Sequence, residues 1–128
     1  MRTSHRVASI LFLIAAAAHA QTASYQGKWT GHATASNGSE IRIDLTIKEA
    51  GGTLRTSLSK NYVTVDPCFD RDIPVVVQSQ TESELTVAIQ GGKVLRGCID
   101  ETATLKLIDA KTLQGTLKDG RSVKLMRK

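Results

Sequence analysis

From Glu40 to Glu49 apolar and polar side chains alternate without a break. Ile41, Ile43, Leu45 and Ile47 fall on one face, and Arg42, Asp44, Thr46 and Lys48 on the other. Successive side chains of an extended chain point to opposite sides, so this stretch is a strand with one face against a core and one in water. The same period of two runs through most of the chain beyond residue 24, with turn-forming glycine, asparagine and aspartate between the runs. Short alternating strands at such regular spacing build a barrel or a sandwich. No helical period and no internal repeat competes with the pattern. The expectation is an all-β fold: a small antiparallel meander barrel of about eight strands.

Side chains that face each other across a hairpin share a face, so parity fixes the register. Tyr25 to Gly31 reads as the first strand and holds the only tryptophan, Trp29. A two-residue Asn37-Gly38 loop sets Thr30, His32 and Thr34 against the isoleucines. A three-residue loop, Ser36-Asn37-Gly38, sets Gly27, Trp29, Gly31 and Ala33 there and buries apolar against apolar. It also puts Gly38 at the left-handed position that such loops require. Asn37-Gly38-Ser39 matches a glycosylation acceptor but reads as this turn. The last hairpin repeats the choice: a Lys118-Asp119-Gly120 loop aligns Leu113 with Leu125 and Gly115 with Val123.

The middle hairpins are less constrained. A Gly51-Gly52 turn sets Leu45 opposite Leu58 and Ile47 opposite Thr56. Gly91-Gly92 divides Leu85, Val87 and Ile89 from a strand holding Leu95, Gly97 and Ile99. That register turns Cys98 outward, and a one-residue shift turns it inward. Asp109 to Lys111 links Ala103, Leu105 and Leu107 to Leu113. The facing of Val75 to Val77 is open. The inward set is then Trp29, the four apolar residues from Ile41 to Ile47, Leu54, Leu58, Leu85, Val87, Ile89, Leu95, Ile99, Leu105, Leu107, Leu113, Leu117, Val123 and Leu125.

The first twenty residues stand apart. Arg2 and Arg6 precede an apolar run from Val7 to Ala18, and Ala18-His19-Ala20 is a small-x-small cleavage site, so residues 1–20 read as a signal peptide and 21–128 as the barrel domain. The apolar run is too short to span a ~30 Å hydrocarbon core. Its alanine-rich character points to a bacterial chain, periplasmic or secreted. Cleavage removes Arg2 and Arg6 from 17 basic residues and none of the 12 acidic ones, lowering the formal charge of +5 by two. A charge so modest points to no nucleic-acid partner. Two cysteines remain, and in an exported chain Cys68 and Cys98 pair most simply as one disulfide. Closing a loop of about 30 residues is worth roughly 3.5 kcal/mol in chain entropy.

Little here supports an enzyme. His32 becomes the only histidine, on the outer face between Thr30 and Thr34, and the chain has no nucleophile elbow, no HExxH and no phosphate loop. No cofactor is implied. The disulfide draws Asp66, Asp70, Asp72, Asp100 and Glu101 into one neighbourhood, a candidate for a hard cation. Arg71 and Arg96 lie in the same region, however, and an ion-paired loop is the expected reading. The inner face carries almost no ionisable group. It is expected to be filled by its own branched side chains, with a small apolar ligand as the alternative.

The Gly27-Lys-Trp-Thr-Gly31 strand after a leader resembles the opening strand of calycin barrels, the lipocalins and avidins. The resemblance implies a tryptophan that closes one end of the barrel. In lipocalins a later arginine packs on that tryptophan, a part open here to Arg121 or Arg127. The tryptophan-rich biotin pocket of avidins is not carried over, since this chain has one tryptophan. The chain is also similar to small exported bacterial barrels of the lysozyme-inhibitor kind, without their inhibitory loop motif. The connection from Lys60 to Asp72 is long for a compact domain and carries Tyr62, Phe69 and Arg71, residue types that dominate binding surfaces. The functional expectation is a non-enzymatic exported barrel, an interaction or inhibitor protein binding through residues 60–72. The alternative is a carrier of a small apolar ligand with Trp29 at its floor. Oligomeric state is not readable from the sequence.

Overall fold

The computed structural model describes residues 24–34, 38–58, 66–116, 120 and 122–128. The leader, the part of the long connection that holds Tyr62, Leu117, Arg121 and the tips of the first and last hairpins lie outside the described residues. Eight strands are present among those described: β1 (Gly27–Thr34), β2 (Glu40–Ile47), β3 (Gly51–Leu58), β4 (Ile73–Gln80), β5 (Glu84–Gln90), β6 (Asp100–Asp109), β7 (Thr112–Thr116) and β8 (Ser122–Arg127). Each pairs antiparallel with the next, and β8 returns to β1, so the sheet closes into a barrel. Closure leaves no sheet edge at the β1–β8 seam, where Trp29 stands opposite Arg127 and Gly31 opposite Leu125.

The parity reading of both outer hairpins holds. Gly27, Trp29, Gly31 and Ala33 face Ile47, Leu45, Ile43 and Ile41. Leu113 faces Leu125 and Gly115 faces Val123. Gly38 and Gly120 have φ of 84° and 88°, the left-handed backbone that three-residue loops demand.

The β2–β3 hairpin differs from expectation. Its register sets Leu45 opposite Leu54, Ile43 opposite Thr56 and Ile47 opposite Gly52. The turn sits earlier in the chain, closed by the Lys48 N–H on the Gly51 carbonyl at 2.7 Å. Gly51 and Gly52 belong to the strand, not the turn. A Cβ on Gly52 would collide with the Thr46 carbonyl oxygen, so that glycine is a point of close backbone approach. The slip is by an even number of residues, and the inward face is therefore unchanged.

The β5–β6 connection is the larger correction. No strand holds Leu95, Gly97 and Ile99: residues Gly91–Lys93 form a 3₁₀ turn, and β6 begins only at Asp100. Ile99 is 68% exposed and leaves the inward set, whereas Cys98 is buried. Its sulfur bonds Cys68, with the two Cα atoms 5.8 Å apart. The turn before β6 leaves Cys98 buried and beside Cys68.

Two core contributions were not legible as such. Ile73 and Val75 are buried and Val77 is partly buried against the core, while Val76 points out, which settles the facing of that run. Tyr25 is not in a strand; it is 1% exposed and packs with Trp29 in the core.

Candidate functional site

The two ends of the barrel contrast. The lower end carries the beginning of β1, the end of β8 and the turns β2–β3, β4–β5 and β6–β7. Trp29 is fully buried there, in contact with the core through its inward place in β1. Its indole N–H donates to the Tyr25 carbonyl at 2.9 Å. The Tyr25 hydroxyl donates to the Thr81 carbonyl at 2.7 Å, tying the lead-in to the β4–β5 turn. Burial, then the nearby Glu84 charge, pushes the Tyr25 phenol above its ordinary pKa.

Arg127 completes this end. Its guanidinium lies over the Trp29 ring, 4.1 Å from the centroid. It also donates to the carbonyls of Gln26 at 2.6 Å, Ser24 at 2.7 Å and Ala110 at 3.2 Å. A planar fork of five N–H donors suits three carbonyls and an aromatic face at once; an ammonium group would not. Of the two arginines that the resemblance puts forward, Arg127 is the one on the tryptophan. Asp109 fixes the adjacent turn by accepting from the Lys111 N–H at 2.8 Å. That bond and the Thr112 hydroxyl hold its carboxyl below the usual carboxylate range.

The upper end carries the remaining connections, and beneath it the described residues leave a hollow. A cavity of about 410 Å³ opens there, within the range of roughly 300–1,000 Å³ usual for small-molecule sites. Leu45, Leu54, Val87, Leu105 and Leu125 make its lower part, and Ile43, Ile89, Ala103 and Val123 its upper wall. Among the described lining residues, Thr56 and Glu101 are the polar ones at inward register positions, and Thr102, Thr104 and Thr116 border the cavity from outward positions. The expectation of an interior filled by its own side chains thus holds for the lower half and fails for the upper. The reason lies in residue size: Ala103 and Thr56 occupy inward positions there that larger side chains would need to fill.

Trp29 does not line this cavity; its cross-strand partner Leu45 does. The tryptophan lies below the ligand-sized space and seals it.

The connection ending at Asp72 braces the upper end. Asp66 accepts from the Cys68 N–H at 2.9 Å. The Asp70 N–H reaches the carbonyl of Thr56, a cavity residue, at 2.8 Å. Arg55 donates to the Asp70 carbonyl at 2.8 Å and to the Asp72 carboxylate at 3.2 Å. The disulfide then joins this segment to the turn just before Asp100 and Glu101. The described part of the connection, residues 66–72, is thus a strap held to β3 near the cavity residue Thr56 and, through the disulfide, to the chain just before β6. Phe69 is half-buried; Arg71 is exposed and donates to the Pro67 carbonyl at 2.7 Å.

The acidic residues of this region work separately. Asp72 pairs with Arg55, and Asp100 accepts from the Gly92 N–H at 2.9 Å. Among the described residues no group of three or more His, Cys, Asp or Glu side chains is placed to hold a metal ion, so Asp66, Asp70, Asp72 and Asp100 do not converge. His32 is on the outer face, 3.9 Å from Glu40, with both side chains more than half exposed.

No family model, no curated protein and no solved structure matches the chain. Among the described residues, fold and site together define an eight-stranded antiparallel barrel, plugged at one end and with a cavity toward the other, with a disulfide-tied strap beside it. Among the described residues no helix is long and apolar enough to cross a membrane.

Proposed function

We propose that this protein is an exported, non-enzymatic barrel that binds one small apolar ligand in its upper half. The observation that carries the reading is the cavity of about 410 Å³ with aliphatic walls, in a barrel whose other end is sealed by Trp29, Tyr25 and Arg127. Apolar walls with a few polar groups are the usual make-up of a carrier site. The calycin-like arrangement of an arginine on the first-strand tryptophan supports the reading, as does the Cys68–Cys98 bond, which belongs in an oxidising compartment such as the periplasm or the medium. The strap is then the rim of a ligand site.

Titration with the neutral fluorophore N-phenylnaphthylamine tests this. The wild-type barrel is expected to give a saturable, blue-shifted emission with one probe per chain. Ala103→Leu, which fills the upper wall, is expected to abolish it while unfolding cooperatively. Absence of binding by the wild-type protein, or undiminished binding by a folded Ala103→Leu variant, would refute the reading.

A second reading, protein binding through the 60–72 connection, draws on the rigidity of its described part. Residues 66–72 are pre-ordered by the disulfide and by Arg55, and pre-ordering lowers the entropic cost of association. Alanine at Tyr62, Phe69 and Arg71 together, assayed against any partner captured from the native compartment, tests it. Unchanged affinity would exclude that surface.

A further inference from the structure

The charge of the chain is divided unevenly around the barrel. Residues 35–90, which supply β2 to β5, hold five basic and eight acidic residues, a net −3. Residues 21–34 and 91–128, which supply β1 and β6 to β8, hold ten basic and four acidic residues, a net +6. β8 closes onto β1, so these four strands are neighbours and form one continuous wall. Among the described residues, the outward positions of that wall carry no carboxylate from Thr102 to Ile108 in β6, nor in β7, β8 and β1. Lys106 and Lys124 stand at one level, on either side of Gln114. Two residues further along their strands come Ile108 and Met126, 56% and 48% exposed. Lys28 and Lys128 lie together at the β1–β8 seam, joined by the bond from the Lys128 N–H to the Lys28 carbonyl at 2.9 Å. We propose that this wall docks on an anionic lipid surface, with the lysines among the headgroups and Ile108 and Met126 at the acyl boundary.

Three features favour lipid over a discrete anionic partner. The outward cations on these four strands are lysines, compact point charges without the planar fork that recognises one carboxylate or phosphate. Such charges suit a diffuse field of headgroups, where each contributes roughly 1 kcal/mol. Two exposed apolar side chains stand between two levels of lysine, and a surface with an apolar boundary beneath its charge satisfies both. The ion pairs among the described residues leave Lys28, Lys106 and Lys124 out, and Lys128 reaches Asp44 only at 4.0 Å. Carboxylates stand at the borders of the wall: Glu84 opposite Lys106, Glu40 and Asp44 on β2, and Asp109 at the lower turn. They limit the docking strip to β6 through β1. A second copy of the chain is a poorer partner, because Asp44 and Asp72 on the acidic side are already paired with Arg42 and Arg55. The proposal does not depend on the ligand-binding reading.

The test is co-sedimentation with phosphatidylcholine vesicles, with and without phosphatidylglycerol. The wild-type protein is expected to partition onto the phosphatidylglycerol vesicles and not onto phosphatidylcholine alone, and to be released as salt rises from about 0.1 M to about 0.5 M. Lys28→Gln, Lys106→Gln and Lys124→Gln together are expected to weaken partitioning at least about tenfold. Ile108→Ser with Met126→Ser is expected to weaken it about fivefold or more. All these positions face outward, so urea unfolding should show both variants folded. No partitioning of the wild-type protein, equal partitioning onto both vesicles, or undiminished partitioning of either variant overturns the proposal. Release of the bound protein by soluble polyglutamate at an equal concentration of charge also overturns it, in favour of an acidic protein partner.

Discussion

At the lower end of the barrel Trp29 and Tyr25 are fully buried, and toward the upper end the described residues leave a ligand-sized volume. The strands are the same strands, alternating in the same way, so the difference comes from what the ends receive. Trp29 and Tyr25 fill the lower end, and Arg127 lids it with a stacked guanidinium bonded to three carbonyls. The upper end receives Ala103 and Thr56 at inward positions and is braced by hydrogen bonds and a disulfide rather than by packing. Close packing stabilises; a cavity forgoes that stabilisation and keeps room for a guest. One end holds the fold together, and the other keeps the space that the proposed ligand would fill.

The contrast is open to direct attack, most severely at Trp29. Trp29→Ala removes the largest fully buried side chain and is expected to cost about 3–5 kcal/mol in urea unfolding. Ala103→Leu at the upper end should change stability by less than about 1.5 kcal/mol. Equal losses would show that the two ends do not differ in the way described. Replacing Cys68 and Cys98 by serine is expected to cost roughly 3.5 kcal/mol. Hydrogen exchange should then quicken in residues 66–72 and 94–99 while the Trp29 end stays protected; uniform quickening would mean that the ends are not separable.

Arg127→Lys keeps a charge but loses the planar fork. A loss of about 2 kcal/mol is expected from the missing carbonyl bonds and stacking, read as a lower denaturant midpoint with an unchanged slope. No loss would make the lid ornamental.

Tyr25→Phe is the mildest. It removes the bond to Thr81 and should cost about 1 kcal/mol at neutral pH. The Tyr25 phenol is raised in the folded state. Its contribution is therefore fully present below the unfolded value of about 10 and declines as the pH rises through the folded value. Wild-type protein should lose its advantage over Tyr25→Phe in that alkaline window. A gap that stays constant there would mean that Tyr25 titrates as it does in the unfolded chain.

Much of the architecture was legible because period-two patterning and turn chemistry agree. The hairpins of Trp29 and Leu113 were readable to the residue: only one loop length set apolar against apolar and placed Gly38 or Gly120 left-handed. The Gly51-Gly52 pair misled because glycine serves turns and close approaches alike, and the colliding Thr46 carbonyl belongs to the partner strand. Ile99 misled because continued alternation does not oblige a chain to stay extended: a 3₁₀ turn follows β5, and β6 begins only at Asp100. At the site, Glu101 was visible as an acidic residue beside Cys98. Its place on the cavity wall was not, because that depends on where β6 begins.

The sequence by itself determined the strand class, the inward faces and registers of the outer hairpins and the pairing of two cysteines, since these follow from local spacing and from simple elimination. Only the tertiary structure decided which end is full and which is hollow, which arginine lies on Trp29, and that Glu101 borders the cavity. Those outcomes depend on side chains from strands far apart in sequence meeting across a closed barrel. Volume left over after such meetings is a sum over the whole circle, which no single stretch of the chain contains.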